Sequence, residues 1–197
     1  EWQSLYDHLK GKGYDEDLLL SLGLIANSGG RYYDKFRDRV IFPIINTRGK
    51  IIGFGGRALG DGTPKYLNSQ ESSVFQKKNN LYGLYLTRQD INREDCAILV
   101  EGYMDVISLY QHGVRNVSAS LGTALTENQA GMLKRYTGNI LLAYDADEAG
   151  QTAALRGMDI LYGAGCKVKI MTIPRGKDPD EFIKENGKDA FSELVKK

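Results

Sequence analysis

The chain has 197 residues, 42% hydrophobic and 26% charged, with a net charge of +1, room for one large domain or two small ones of ordinary globular composition. No apolar run approaches the roughly 20 residues that cross a bilayer, and no secretory leader pattern opens the sequence. Cys96 and Cys166 lack metal-ligand or CxxC spacing, and His8 and His112 stand apart, which argues against a disulfide scaffold or a zinc site here and fits a reducing cytoplasm. The first residue is Glu1, so the expectation is a piece of a longer protein.

Residues 1 to about 25 read as short helices. Strands are expected at 39–45 and 50–54, joined by the turn Asn46-Thr47-Arg48-Gly49. Pro43 cannot donate to a ladder, which places its strand at an edge or at a bulge. Gly53, Gly55 and Gly56 before Arg57 point to close approach of the backbone by a ligand or another chain segment. Residues 59–80 are polar and irregular, and 81–91 read as a helix. From about 95 the pattern alternates, with strands expected at 97–100, 114–118, 140–144 and 167–172 and helices at 103–111, 127–136, 148–162 and 180–185. Thr126-Glu127-Asn128-Gln129 is a capping-box signature for the second of these helices. Such alternation implies a parallel sheet with helices on both faces, preceded by a mixed α+β N-terminal subdomain. The expected division is 1–93, 94–175 and a final acidic segment 176–197.

Charge is segregated. Between Arg31 and Lys78 there are ten Lys/Arg against four Asp/Glu, a local net of +6, interleaved with Tyr32, Tyr33, Phe36, Tyr66 and Phe75. Cations among aromatics suit a polyanion with stacking faces; the plainer alternative is a solvated basic face, with Phe42 and Phe54 as core. Arg37 and Arg39 straddle Asp38 and are read as ion-pair partners of it or of Asp34, and Lys77 with Lys78 also reads as a solvated pair. The apolar run 97–100 ends at Glu101, and the run 140–144 ends at Asp145 and Asp147. In an open parallel sheet the strand C-termini share one edge, where ligands bind. Carboxylates gathered there repel one another unless a hard cation is present, Mg²⁺ first of all, which keeps waters for a phosphate-bearing substrate. Spacing by two in extended backbone points Asp145 and Asp147 the same way. The competing reading makes Asp145 the cap of the helix from 148 and Asp147 a complement to its dipole. Asp105, one turn beyond Glu101, is a ligand or a helix-surface residue. Asp178-Pro179-Asp180-Glu181 has the form of a helix start.

Val100-Glu101-Gly102-Tyr103-Met104-Asp105, Leu121-Gly122-Thr123-Ala124, Tyr144-Asp145-Ala146-Asp147-Glu148-Ala149-Gly150 and Asp178-Pro179-Asp180-Glu181 resemble the Toprim domain, the Rossmann-like fold shared by bacterial primases, topoisomerases and some nucleases. Asp38-Arg39-Val40-Ile41-Phe42-Pro43-Ile44, Ile52-Gly53-Phe54-Gly55-Gly56-Arg57 and Pro64-Lys65-Tyr66-Leu67-Asn68-Ser69 resemble the bacterial replicative primases of DnaG type. The one departure is Ala146, where related sequences often carry Gly; both flanking carboxylates remain. The resemblance implies RNA primer synthesis on single-stranded DNA from ribonucleoside triphosphates, in the bacterial cytoplasm at the replication fork. It implies Mg²⁺ or Mn²⁺ on Glu101, Asp145 and Asp147, with Asp105, Asp178 and Asp180 as further metal candidates and Glu101 also a general base. Arg57, Lys65, Tyr66, Asn68 and Lys77 are then the nucleotide and nucleic-acid contacts. Zinc and contact with the replicative helicase belong to modules outside this sequence, and guanosine tetra- and pentaphosphate alarmones are expected to compete with GTP. The rival readings are a topoisomerase or nuclease Toprim domain, against which Pro64–Ser69 argues, and a non-catalytic nucleic-acid-binding Toprim module, against which the intact carboxylates argue.

Overall fold

The computed structural model describes residues 2–174 and 178–196. The chain forms two compact units, one of residues 1–45 and 50–76, the other of 46–49 and 77–197.

In the first unit, α1 (Ser4–Gly11) and α2 (Glu16–Ser21) precede a hairpin of β1 (Ile25–Ser28) and β2 (Arg31–Asp34). That hairpin was not among the expected elements. Its turn is Gly29-Gly30, with φ of +59° and +81°, the geometry that a two-residue hairpin loop demands at both positions. Buried Asp34 at the end of β2 accepts the amides of Leu5 (2.8 Å) and Tyr6 (2.9 Å), so its carboxylate caps the start of α1 from a distant strand. A three-stranded antiparallel sheet follows in the order β3 (Arg39–Ile45), β4 (Ile51–Ala58), β5 (Tyr66–Asn68). β3 is an edge strand and its register shifts between Ile44 and Ile45, so Pro43 sits on an edge and beside an irregularity, as its missing donor requires. The close approach at the β4 glycines is by the chain itself. A Cβ on Gly53 would lie 3.3 Å from Phe75, and one on Gly56 would lie 2.9 Å from Phe36. Phe75 is wholly buried, while Phe42 and Phe54 are half-buried.

The second unit holds a parallel sheet in the order β7 (Val117–Ala119), β6 (Ala97–Val100), β8 (Asn139–Leu142), β9 (Lys167–Ile170). Its central strands are apolar from Ala97 to Val100 and from Ile140 to Leu142, because both faces are covered there. Ala97 and Leu99 of β6 and Ile140 and Leu142 of β8 face one core, closed by α3 (Leu84–Glu94), α5 (Glu127–Lys134) and α6 (Glu148–Gly163) through Leu84, Ile91, Leu133 and Leu161. Ile98, Val100 and Leu141 face the other, closed by α4 (Tyr103–Gln111) and α7 (Pro179–Lys196) through Val106, Leu109, Phe182 and Phe191. α7 is broken by non-helical Gly187 at φ +77°. The expected boundary near 93 is not where the units divide: Leu84 and Ile91 of α3 belong to the sheet's own core. The boundary expected at 175/176 lies outside the described residues, and α7 packs within the second unit.

Candidate functional site

β6 and β8 are neighbours, yet their C-terminal connections leave toward opposite faces, β6 into α4 and β8 into α6. This is the switch point at which an open parallel sheet leaves a crevice. Glu101 is the residue after β6, and Asp145 lies three beyond the last residue of β8, so both stand at that crevice. The Asp145 amide donates to Glu101 Oε1 at 3.2 Å. Gly150, in the first turn of α6, completes the contact: a Cβ there would lie 2.3 Å from the Asp145 carbonyl oxygen and 3.0 Å from Glu101 Oε1.

Asp145 is half-buried, and its carboxylate accepts no hydrogen bond from any described residue. Burial, then Glu101, Asp178, Asp147 and Glu181, push it up to about 6. Glu101 is raised chiefly by burial, with Asp147 adding repulsion. Asp105 is buried and raised to about 7, first by burial and then by Asp178 and Asp145. The sequence thus gathers its acidic residues at one edge, but their tasks differ. Asp147, not Asp145, is the N-cap of α6: its Oδ1 accepts the Gly150 amide at 2.7 Å, and its side chain is exposed. Asp105 spends both oxygens on backbone, accepting from Gly102 (3.1 Å) and Asp180 (3.2 Å), and so ties the start of α4 to the start of α7. Asp178 accepts the Glu181 amide at 2.7 Å, the helix-start role its motif suggested. Asp180 pairs with Lys184 at 2.6 Å through Oδ2, while its Oδ1 is buried without a partner among the described residues.

In the first unit Arg57 and Tyr66 are cross-strand partners on β4 and β5, and Asn68, two residues on, shares their face. Lys65 Nζ lies 5.7 Å from the Tyr66 ring centre, and Arg57, Lys65 and Tyr66 are exposed. Lys77 belongs to the second unit, in a 3₁₀ turn, Lys77–Asn79, seated on the start of α5.

Residues 1–88 match the family described as DNA primase catalytic core, N-terminal domain, and residues 98–183 the Toprim-like family. The DNA primase of Clostridium acetobutylicum is 55% identical over 195 residues, covering 99% of this chain and 33% of that protein. A solved DnaG primase catalytic domain bound to single-stranded DNA superposes with a TM-score of 0.93 at 40% identity, over 100% of this chain and 64% of that one. The Aquifex aeolicus primase structure, of zinc-binding and RNA polymerase domains, gives 0.87 at 44% identity over 96% and 48%. The chain belongs to the DnaG-type DNA primase family. It spans about a third of the length of the curated relatives it matches, and in the Aquifex primase a zinc-binding domain accompanies the RNA polymerase domain.

Toprim domains and this primase family generally use Mg²⁺, and the donor set suits that ion. Among the described residues no three Asp, Glu, His or Cys side chains converge closely enough to hold an ion by themselves. Mg²⁺ does not require that. It binds through one or two carboxylates and fills its shell with water and substrate phosphate. Asp145, whose carboxylate accepts no hydrogen bond from a described residue, and Glu101, with Oε2 outside the Asp145 contact, are the pair that would hold such an ion.

A second basic–aromatic feature emerges only in the fold. Arg37 is paired with no carboxylate side chain among the described residues. Its guanidinium lies over the rings of Trp2 (4.3 Å) and Tyr33 (4.9 Å), and it donates to the Asp34 carbonyl. Arg39 donates to the carbonyls of Gly56 and Lys65, both at 3.4 Å. These groups border a cleft of about 510 Å³ with Lys35, Pro64 and Leu67. The reading as ion pairs with Asp34 or Asp38 is therefore corrected. Local sequence held a signal in the density of Arg around Tyr and Phe, but Trp2 reaches it only through the fold.

Proposed function

We propose that the chain is the part of a bacterial DNA primase that joins ribonucleotides into RNA primers on a single-stranded DNA template by metal-dependent nucleotidyl transfer. The carrying observation is Asp145. A half-buried carboxylate, unbonded by any described residue, repelled by its acidic neighbours and placed at the switch point of a parallel sheet, is destabilised as an anion until a cation joins it. Glu101 and Asp145 would hold the ion, and the exposed Asp147 oxygen not used in capping is available to it. When bound, Mg²⁺ or Mn²⁺ neutralises the triphosphate, acidifies the primer 3′-hydroxyl and stabilises the leaving pyrophosphate.

The chain's own groups do the rest. Glu101 Oε2 accepts no hydrogen bond from described residues, and Glu101 would take the hydroxyl proton as well as help to hold the ion. Arg57 and Lys65 neutralise phosphates, Tyr66 offers a stacking face, Asn68 an amide and Lys77 a further cation. Arg37 over Trp2 and Tyr33 suits a single strand in the same way. Zinc, contact with the replicative helicase and inhibition by guanosine polyphosphates follow from the family resemblance alone. The test is primer synthesis by the intact protein with and without Mg²⁺, together with Mn²⁺ soaked into crystals. Metal is expected about 2.0–2.6 Å from Asp145 or Glu101 oxygens. Priming without divalent metal, or metal found only elsewhere at saturation, would refute the proposal.

A further inference from the structure

Gln129 is wholly buried at the start of α5, and every bond of its amide is directed. Nε2 donates to the carbonyls of Lys77 (3.0 Å) and Asn80 (2.8 Å), and Oε1 accepts the Thr126 amide (3.0 Å). Thr126 Oγ1 accepts the Gln129 amide (3.3 Å) and donates to the Lys78 carbonyl (2.7 Å). Asn128 Nδ2 donates to Asn79 Oδ1 (2.6 Å). Three side chains of one helix start thus hold four successive residues, 77–80.

A solvated turn needs none of this, because water would serve its carbonyls. A buried amide is costly unless its donors are met, and two donors of one Nε2 are met only while the Lys77 and Asn80 carbonyls point together. The arrangement therefore selects one shape of the turn. Its location is also fixed. β7 ends at Ala119, which pairs with Tyr82 (2.8 and 3.1 Å), and α5 starts beyond the β7 C-terminus, so the turn lies at the strand-end edge that carries Glu101 and Asp145. Lys77 is half-buried there, whereas Lys78 is exposed.

We infer that Thr126 and Gln129 are positioning residues whose task is to fix the Lys77 backbone, and so aim its ammonium at nucleotide phosphate, at the acidic edge of the sheet. The inference rests on the reading of Lys77 as a nucleotide contact. It assigns the capping box of α5 a second task that its sequence signature does not contain.

The experiment is a titration of the purified full chain with a fluorescent GTP analogue and Mg²⁺, alongside thermal melts. Lys77→Ala is expected to weaken binding about tenfold, the scale of one lost charge-assisted hydrogen bond. Gln129→Met and Thr126→Val should weaken it by up to the same factor, and Thr126→Ser, which keeps the hydroxyl, should bind as wild type. Combined with Lys77→Ala, neither clamp variant should cause further loss. A merely structural role would not produce that dependence. Should Gln129→Met fail to fold, Thr126→Val reads the same turn through the Lys78 carbonyl. Clamp effects that add in full to Lys77→Ala, or clamp variants at wild-type affinity, overturn the inference. If Lys77→Ala is silent while Lys65→Ala weakens binding, the inference falls and the nucleotide-binding reading stands. If both are silent, both fall.

Discussion

Gly150 leaves the least room for change at the acidic edge. Its absent side chain is what lets α6 begin against the Asp145 carbonyl, since a Cβ would lie 2.3 Å from that oxygen. The neighbour is backbone and cannot swing aside. Gly150→Ala should therefore displace the 145–147 segment, with a stability loss of about 1–3 kcal/mol typical of overpacking and Mn²⁺ affinity reduced at least tenfold. Calorimetric melts and a Mn²⁺ titration read both effects, and wild-type metal affinity would show that the segment is not held by this contact. Asp145 makes a second residue-level case. Its folded pKa of about 6 and that of Asp105, about 7, stand above the ordinary value of 3.8, burial being the first cause in each. Between about pH 4 and 7 the metal-free folded state binds more protons at these groups than the unfolded chain does, so their contribution to stability falls as pH rises through that window. Asp145→Asn removes one of the two. Without metal it should melt above wild type at pH 8 and close to it at pH 4. An equal difference at both pH values would contradict the assignment.

At the scale of elements, Asp105 joins two helix starts that the sequence presents as unrelated. Its carboxylate accepts from Gly102 at the head of α4 and from Asp180 at the head of α7. Asp105→Ala leaves both amides without that partner, so hydrogen exchange at Gly102 and Asp180 should accelerate together; protection unchanged at Asp180 would mean that α7 is held by its apolar contacts alone. What was legible in the sequence follows the same division between local and distant causes. Ala97–Val100 and residues 140–142 declare themselves because strand positions covered on both faces are apolar without alternation, and α5 because its cap is written in four consecutive residues. The β1–β2 hairpin carries no alternating apolar pattern, only its Gly29-Gly30 turn. β5 has three residues and exists through pairing with β4. For α6 the sequence offered Asp145 as the cap and the fold uses Asp147, two residues on, because α6 starts at Glu148 and the capping position is the residue directly before it. Glu101 and Asp145 were likewise visible as strand ends, and the helix-start role of Asp178 was written locally. The tasks of Glu101 and Asp105 were not legible, because each accepts an amide contributed from elsewhere in the fold.

Over the whole molecule, charge is divided between segments. The segment 31–78 carries +6 while the chain carries +1, so the remainder, with all six candidate metal carboxylates, carries −5. Polyanion binding and metal binding should therefore respond to different substitutions. Single-stranded DNA binding driven by Lys and Arg releases counterions, and the slope of log affinity against log salt falls by about 0.7 for each phosphate contact removed. Arg57→Ala and Lys65→Ala, both exposed cations of the first unit, should each weaken binding and flatten that slope by about this amount while leaving the Mn²⁺ affinity of the acidic edge unchanged. Asp145→Asn should do the reverse, abolishing Mn²⁺ binding with no change in salt slope, because a carboxylate displaces no counterion from a phosphate. Both measurements on the same three variants decide the matter. Unaltered slopes in Arg57→Ala and Lys65→Ala would return the +6 segment to a plain solvated surface, whereas a slope altered by Asp145→Asn would mean that the single strand contacts the acidic edge itself.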